Sequence, residues 1–312
     1  MELYLVVFAV AFFITLFITP LVIRLAYRIG ALDMPSQRKV HRKVMPRFGG
    51  PAVYCGFLAI AAYLLHLEYD PQVAGLLIGG TFILLLGAID DIYSLPPLAK
   101  LLGQVAAAVL VVLFGVRVNF ITNPFDGYFE LGMMSIPVTI FWIVAVTNSI
   151  NLIDGLDGLA AGISTIALLT ISLIGLRTQS SMPVVLLSLG LAGAILGFLR
   201  YNFYPAKIFL GDSGSMFLGF TIAVLSTMGL LKMVTVYTFV IPVIILGVPI
   251  FDTSFAILRR YSRGKPIFAA DKRHIHHRLL NRGLTHRQAV LALYCLAIAF
   301  GLSAVYLVNR IY

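Results

Sequence analysis

The chain has 312 residues, 60% of them hydrophobic and only 12% charged, with a mean hydropathy of +0.97 and a formal net charge of +10. So few charges over such a length exclude an ordinary soluble domain and point to an integral membrane protein. A pI near 9.7 also fits a nucleic-acid binder, but no soluble domain exists to carry that role, so no nucleic-acid partner is expected.

Apolar stretches long enough to span a bilayer occur near residues 3–23, 48–66, 72–89, 98–115, 135–150, 158–176, 182–199, 214–231, 235–258 and 288–308. They predict an all-α bundle of about ten transmembrane helices, forming one polytopic domain over residues 1–312. The first stretch has no basic region before it and no small-residue cleavage site, so it reads as a mature helix rather than a signal peptide. The fifth is short, which places its polar end inside the bundle. Cys55 and Cys295 each lie in an apolar run and read as small packing residues, not as a disulfide or a thiolate metal site.

Lysine and arginine set the orientation. With the loop after the first helix in the cytoplasm, only Arg117, Arg177, Lys232 and Arg310 of the 23 basic residues fall outside, so both termini are expected outside. The three glutamates (Glu2, Glu68, Glu130) then lie outside, whereas Asp33, Asp90, Asp91, Asp154, Asp157, Asp212, Asp252 and Asp271 gather at the inner face. Acidic residues contribute little to topology, so their clustering needs another cause. A divalent cation supplies one. Carboxylate and amide oxygens without cysteine suit Mg2+, with Mn2+ as a substitute, rather than zinc.

The inner loops carry five polar motifs. The first reads Arg38-Lys-Val-His41-Arg42-Lys43, followed by Pro46, Arg47 and Gly49-Gly50. The paired glycines would permit a close backbone approach at the start of the second span, although basic residues here also fit an anchor on anionic lipid. Asp90-Asp91 ends the third span, where two like charges meet a helix C-terminal dipole of the same sign, a costly placement unless a cation compensates. Lys100 follows. Asn148, Asn151, Asp154 and Asp157 then recur at intervals of three, a ladder expected along one part of a helix surface. Polar groups there should face water, a cation or both.

Asn202 precedes Phe209-Leu-Gly211-Asp212-Ser213-Gly214-Ser215, which can turn backbone N–H groups and hydroxyls toward phosphate while Asp212 binds a metal or caps the next helix. The last inner loop contains Arg273-His274-Ile275-His276-His277-Arg278. Histidines flanked by basic residues suit anionic oxygen atoms better than another cation.

These motifs, in this order on one membrane face, resemble the polyprenyl-phosphate N-acetylhexosamine-1-phosphate transferases, from the first helix to the last. The His-Ile-His-His form, with Ile275 interrupting the run, is similar to the branch that uses UDP-GlcNAc and undecaprenyl phosphate. The phospho-MurNAc-pentapeptide transferases typically carry three consecutive histidines. The chain ends after its tenth span, whereas GlcNAc-branch members often continue into a further helix. A membrane prenyltransferase would space its acidic residues differently, and a nucleotide-sugar transporter would place its polar groups nearer the midplane.

The resemblance implies a bacterial plasma-membrane enzyme with a cytoplasmic active site. Its reaction would be attack by an undecaprenyl phosphate oxygen on the β-phosphorus of UDP-GlcNAc, releasing UMP and beginning a cell-envelope glycan. It further implies metal ligation by Asn151 and Asp212, with Asp154 in or near that shell. Asp157, Asn202 and Phe209 would shape the uridine pocket, with Arg42 or Lys43 closing it, and Lys100 would meet the lipid phosphate. Arg273, His274, His276 and His277 would line the sugar diphosphate, and Asp90 or Asp91 would take a proton from the acceptor. Membrane lipids and a homodimer complete the expected partners.

Overall fold

A computed structural model describes residues 2–34, 44–122, 128–178, 181–229, 240–262, 264 and 274–311. Its helices are α1 (Glu2–Ile29), α2 (Gly50–Leu67), α3 (Pro71–Tyr93), α4 (Pro97–Leu113), α5 (Ser135–Ile153), α6 (Leu159–Arg177), α7 (Met182–Asn202), α8 (Gly211–Gly229), α9 (Val240–Ile245), α10 (Gly247–Tyr261), α11 (Ile275–Asn281) and α12 (His286–Ile311). Two short antiparallel ribbons interrupt them. One pairs β1 (Leu32–Asp33) with β2 (Met45–Pro46), and the other pairs β3 (Phe120–Thr122) with β4 (Tyr128–Glu130).

A helix forms at each of the ten apolar stretches, and the chain is an all-α integral membrane protein. Seven helical segments among the described residues are individually long and apolar enough to cross a bilayer. The others fall short for different reasons. Helix α4 has 17 residues. In α8 serines, threonines and glycines dilute the apolar residues. The ninth stretch differs from the single span expected, because Leu246 separates α9 from α10. Helix α11 lies within the histidine loop.

The start and stop signals are local. Asp70 caps α3 by accepting the N–H of Gln72 at 2.8 Å, with Pro71 in the first turn, and Pro97 opens α4 after Pro96. Proline costs nothing at a first turn because its missing donor would have no helical partner there.

Helix α8 is the hub. All of its residues from Gly211 to Gly229 are buried, and it packs against α2, α3, α5, α6 and α7. A helix enclosed on every side has no lipid-facing surface, which accounts for its modest apolarity. Lipid-embedded helices gain little from hydrophobic association, so close packing and polar ties carry the assembly. Trp142 of α5 donates to Ser226 of α8 at 3.1 Å, and Asn148 of α5 donates to Gln104 of α4 at 2.6 Å.

The asparagine and aspartate ladder departs from the expected single helical surface. Helix α5 stops at Ile153, Asp154 is its C-terminal cap, and Gly158 takes a φ of +76° before α6 begins. Only Asn148 and Asn151 are therefore helical, while Asp154 and Asp157 stand in the turn. Aspartate and glycine favour turns, and that local chemistry prevails over the three-residue spacing.

Candidate active site

The start of α8 lies against the ends of α3 and α5 and the loop before α2, which brings distant motifs together around Asp212. Asp91 accepts the backbone N–H groups of Asp212 and Ser213, at 2.7 and 3.0 Å, and the Ser213 hydroxyl at 2.6 Å. It thus satisfies donors that the first turn of α8 leaves unpaired, and its charge complements the helix dipole there. Asp91 is an α8 anchor as well as a charge.

Arg47, just after β2, bridges Asp91 through Nε at 3.3 Å and Asp212 through Nη2 at 2.7 Å. Burial works against the charged guanidinium, but Asp212 and Asp91 outweigh it and hold its pKa above the ordinary arginine value. Lys100 near the start of α4 pairs with Asp90 at 2.5 Å and Asp212 at 3.0 Å. Asp90 also accepts the N–H of Leu95 at 2.6 Å. Asn151 completes the arrangement by donating to Asp212 Oδ1 at 2.7 Å and to Ser215 Oγ at 2.8 Å.

Backbone hydrogen bonds fasten this cluster to the loop before α2. Phe209 donates to Pro46 at 2.8 Å, Gly49 to Phe209 at 3.0 Å, and Gly50 to Leu210 at 3.1 Å. The glycine pair serves close approach, as its position in the sequence suggests. A Cβ at Gly50 would lie 2.5 Å from the Gly214 nitrogen and the Ser213 carbonyl carbon.

A cavity of about 460 Å3 opens beside Asp212, and Asn151, Asp154, Asp157, Asn202 and Phe209 share its lining. Two of these also shape the loop between α7 and α8. Asn202 donates to the Ile208 carbonyl at 2.9 Å, and Asp157 accepts the Ala206 N–H at 3.0 Å. Desolvation, then the neighbouring charge of Asp212, pushes the Asp154 carboxyl up to about 8.

The histidines divide. His277 lines the cavity, whereas His274 and His276 are buried. The three rings form a succession, with His274 and His276 centroids 5.9 Å apart and nearly parallel, and His276 and His277 centroids 4.3 Å apart. His276 lies so close to Gly155 that an added Cβ would approach its Nε2 within 2.4 Å. Burial, then the adjacent His277 and His274, pulls His276 down to about 3, so it is neutral at physiological pH.

Arg42, Lys43 and Arg273 lie outside the described residues. Sequence reasoning named Arg47 only as part of the first loop motif, and Asp33 and Asp252 only among the inner-face aspartates. It gave none of them an individual role and passed over Tyr204 and His286, and of these five Asp33, Arg47, Tyr204 and His286 line the cavity. Arg47 had a usable signal, a lone arginine between Pro46 and the glycine pair. The roles of Asp252 and His286 depend on contacts between remote segments and leave no local pattern.

Oxygen ligands, cationic side chains and a moderate cavity at one end of a membrane bundle suit a phosphorylated substrate with a hard divalent cation. Asp212, Asn151 and Asp154 provide oxygen donors and no sulfur. Among the described residues no group of three His, Cys, Asp or Glu side chains is placed to hold a metal ion by itself, so a cation at this site would depend on water and substrate oxygens to complete its shell.

A model described as glycosyl transferase family 4 matches residues 73–230. The chain is 50% identical over 304 residues to a protein from Bacillus subtilis named probable undecaprenyl-phosphate N-acetylglucosaminyl 1-phosphate transferase, covering 97% of this chain and 84% of that one. It is 37% identical over 307 residues to decaprenyl-phosphate N-acetylglucosaminephosphotransferase from Mycobacterium tuberculosis, covering 89% and 76% of the two chains. Identity is 28% over 279 residues to undecaprenyl-phosphate alpha-N-acetylglucosaminyl 1-phosphate transferase from Escherichia coli, covering 85% and 73%.

Proposed function

Because the chain belongs to glycosyl transferase family 4, we propose that it transfers GlcNAc-1-phosphate from UDP-GlcNAc to undecaprenyl phosphate, forming undecaprenyl-diphospho-GlcNAc and UMP. The observation that carries this reading is the convergence of Arg47, Asp90, Asp91, Lys100, Asn151 and Asp212 around the start of α8. The product would start a bacterial cell-envelope glycan such as a teichoic acid or lipopolysaccharide. The site would face the cytoplasm, with both termini outside.

The reaction joins two anionic phosphorylated molecules, so positioning and charge neutralisation dominate its catalysis. Arg47 and Lys100 offset the charge on Asp212 and fix the direction of its carboxylate. Asp91 sets the start of α8 from which Asp212 projects. The aromatic face of Phe209 can stack on uracil while Asn202 and Asp157 hold the loop that presents it. His277 faces the cavity from the opposite end of the sequence and can donate to diphosphate oxygen as charge develops. Asp90, tied to Lys100, is the nearer of the α3 aspartates to a role at the acceptor. Proton removal is optional for a phosphate monoester, whose second pKa is near 6.

Mg2+ or Mn2+ would be held by Asp212 and Asn151 with Asp154 beside them, and when bound would neutralise the diphosphate and make UMP a better leaving group. Its charge would also offset the repulsion from Asp212 that adds to burial in raising the Asp154 pKa.

The test of donor identity is a transfer assay with purified protein, undecaprenyl phosphate and, in parallel, UDP-GlcNAc, UDP-GalNAc and UDP-MurNAc-pentapeptide. UDP-GlcNAc should give the highest kcat/KM. Preference for the pentapeptide donor would move the protein to the other branch.

A further inference from the structure

Resting on that transfer reading, we infer that Asp252 is a positioning residue for the reaction, acting through His274 and α11 to place His277 at the cavity. Asp252 belongs to α10 and is buried. One carboxylate oxygen lies 2.9 Å from His274 Nδ1, and the other accepts the N–H of Ile275 at 2.8 Å. Both bonds cross from α10 to the first residues of the histidine arm, so one side chain fixes that arm in rotation and depth.

The consequence travels through packed rings. With Nδ1–H donating to Asp252, the His274 ring is held parallel to His276, and His276 in turn lies against Gly155 and beside His277. Of the three histidines, only His277 lines the cavity. Displacement by about 1 Å can cost about a hundredfold when a group must meet developing charge. A carboxylate accepting two N–H bonds is well suited to prevent it, because ionised acceptors make shorter and stronger hydrogen bonds than neutral ones.

Asp252→Asn tests this with little change in volume. Its carboxamide oxygen can retain the Ile275 N–H, but its NH2 then opposes the His274 N–H and the ring must change tautomer or turn. In undecaprenyl phosphate-dependent release of UMP from UDP-GlcNAc, the variant should lose about a hundredfold in kcat, with KM for UDP-GlcNAc and the thermal midpoint within about twofold and 3 °C of the parent. His277→Ala should lose a similar factor. Combining them should lose about a hundredfold rather than ten-thousandfold, since the two changes disable one function.

Multiplicative losses, or a single Asp252→Asn variant within threefold of the parent, would overturn the inference. Asp252→Glu should recover at least fivefold over Asp252→Asn, because the carboxylate is restored, and no recovery would also count against it. Failure of the parent protein to release UMP would refute the transfer reading itself and is seen before any variant is compared.

Discussion

Gly50→Ala perturbs the active site without removing a polar group. Its methyl carbon would begin 2.5 Å from both the Gly214 nitrogen and the Ser213 carbonyl carbon and 2.8 Å from the Ser213 carbonyl oxygen, whereas ordinary contact begins near 3.4 Å. The difference, 3.4 minus 2.5, requires about 0.9 Å of movement, and the opposing atoms are all backbone. Overpacking of this kind costs about 1–3 kcal/mol. The backbone that must move carries Asp212 into the interactions with Arg47, Lys100 and Asn151, and displacement of that size can lower turnover by about a hundredfold. UMP release should therefore fall about that far while enough folded protein remains to assay by size-exclusion chromatography. Gly80→Ala is the comparison, because its added carbon would meet only the edge of the Phe217 ring, at 3.3 and 3.7 Å, and no backbone atom. A Gly50→Ala variant with turnover within threefold of the parent would refute the claim that close backbone approach fixes Asp212.

Asp212→Asn should abolish detectable transfer while leaving a folded protein, and EDTA should silence the parent until Mg2+ or Mn2+ is restored; full turnover in EDTA would rule out the proposed cation. Asp91→Asn should lower both turnover and the thermal midpoint, since a buried anchor of α8 loses its charge opposite Arg47, whereas an unchanged midpoint would separate Asp91 from α8 stability. The low pKa of His276 means that the unfolded chain takes up its proton first, so stability should decline as pH drops below about 6.5, by about 2 kcal/mol at pH 5. Thermal melts across that interval should be flatter for His276→Gln, and an identical pH dependence would assign the loss to other groups.

The membrane class was legible because composition changes with solvent, and a run of about twenty apolar residues has few alternatives. The motif order also identified the family that the matching model and relatives support. The asparagine and aspartate ladder was less legible, since a spacing of three is compatible with a helix but Asp154-Gly155 and Asp157-Gly158 encode a turn. Helix α8 was recognisable as a span, yet its place as the enclosed hub depends on neighbours far away in sequence. Asp91 looked like half of an acidic pair, and only the folded chain distinguishes an anchor of α8 from Asp90, which meets Lys100. Similarly, three histidines fall within four positions but only His277 of the three reaches the cavity wall, because Asp252 and Gly155 set how the short α11 is seated.

The central claim is tested most directly by incubating purified protein with UDP-GlcNAc labelled in the sugar and its β-phosphate, with and without undecaprenyl phosphate, while following UMP and the label extracted into organic solvent. UMP and lipid-linked label should appear together in equal amounts, and neither should form without the lipid. UMP without lipid-linked label, or labelled lipid accompanied by UDP instead of UMP, would contradict transfer of GlcNAc-1-phosphate.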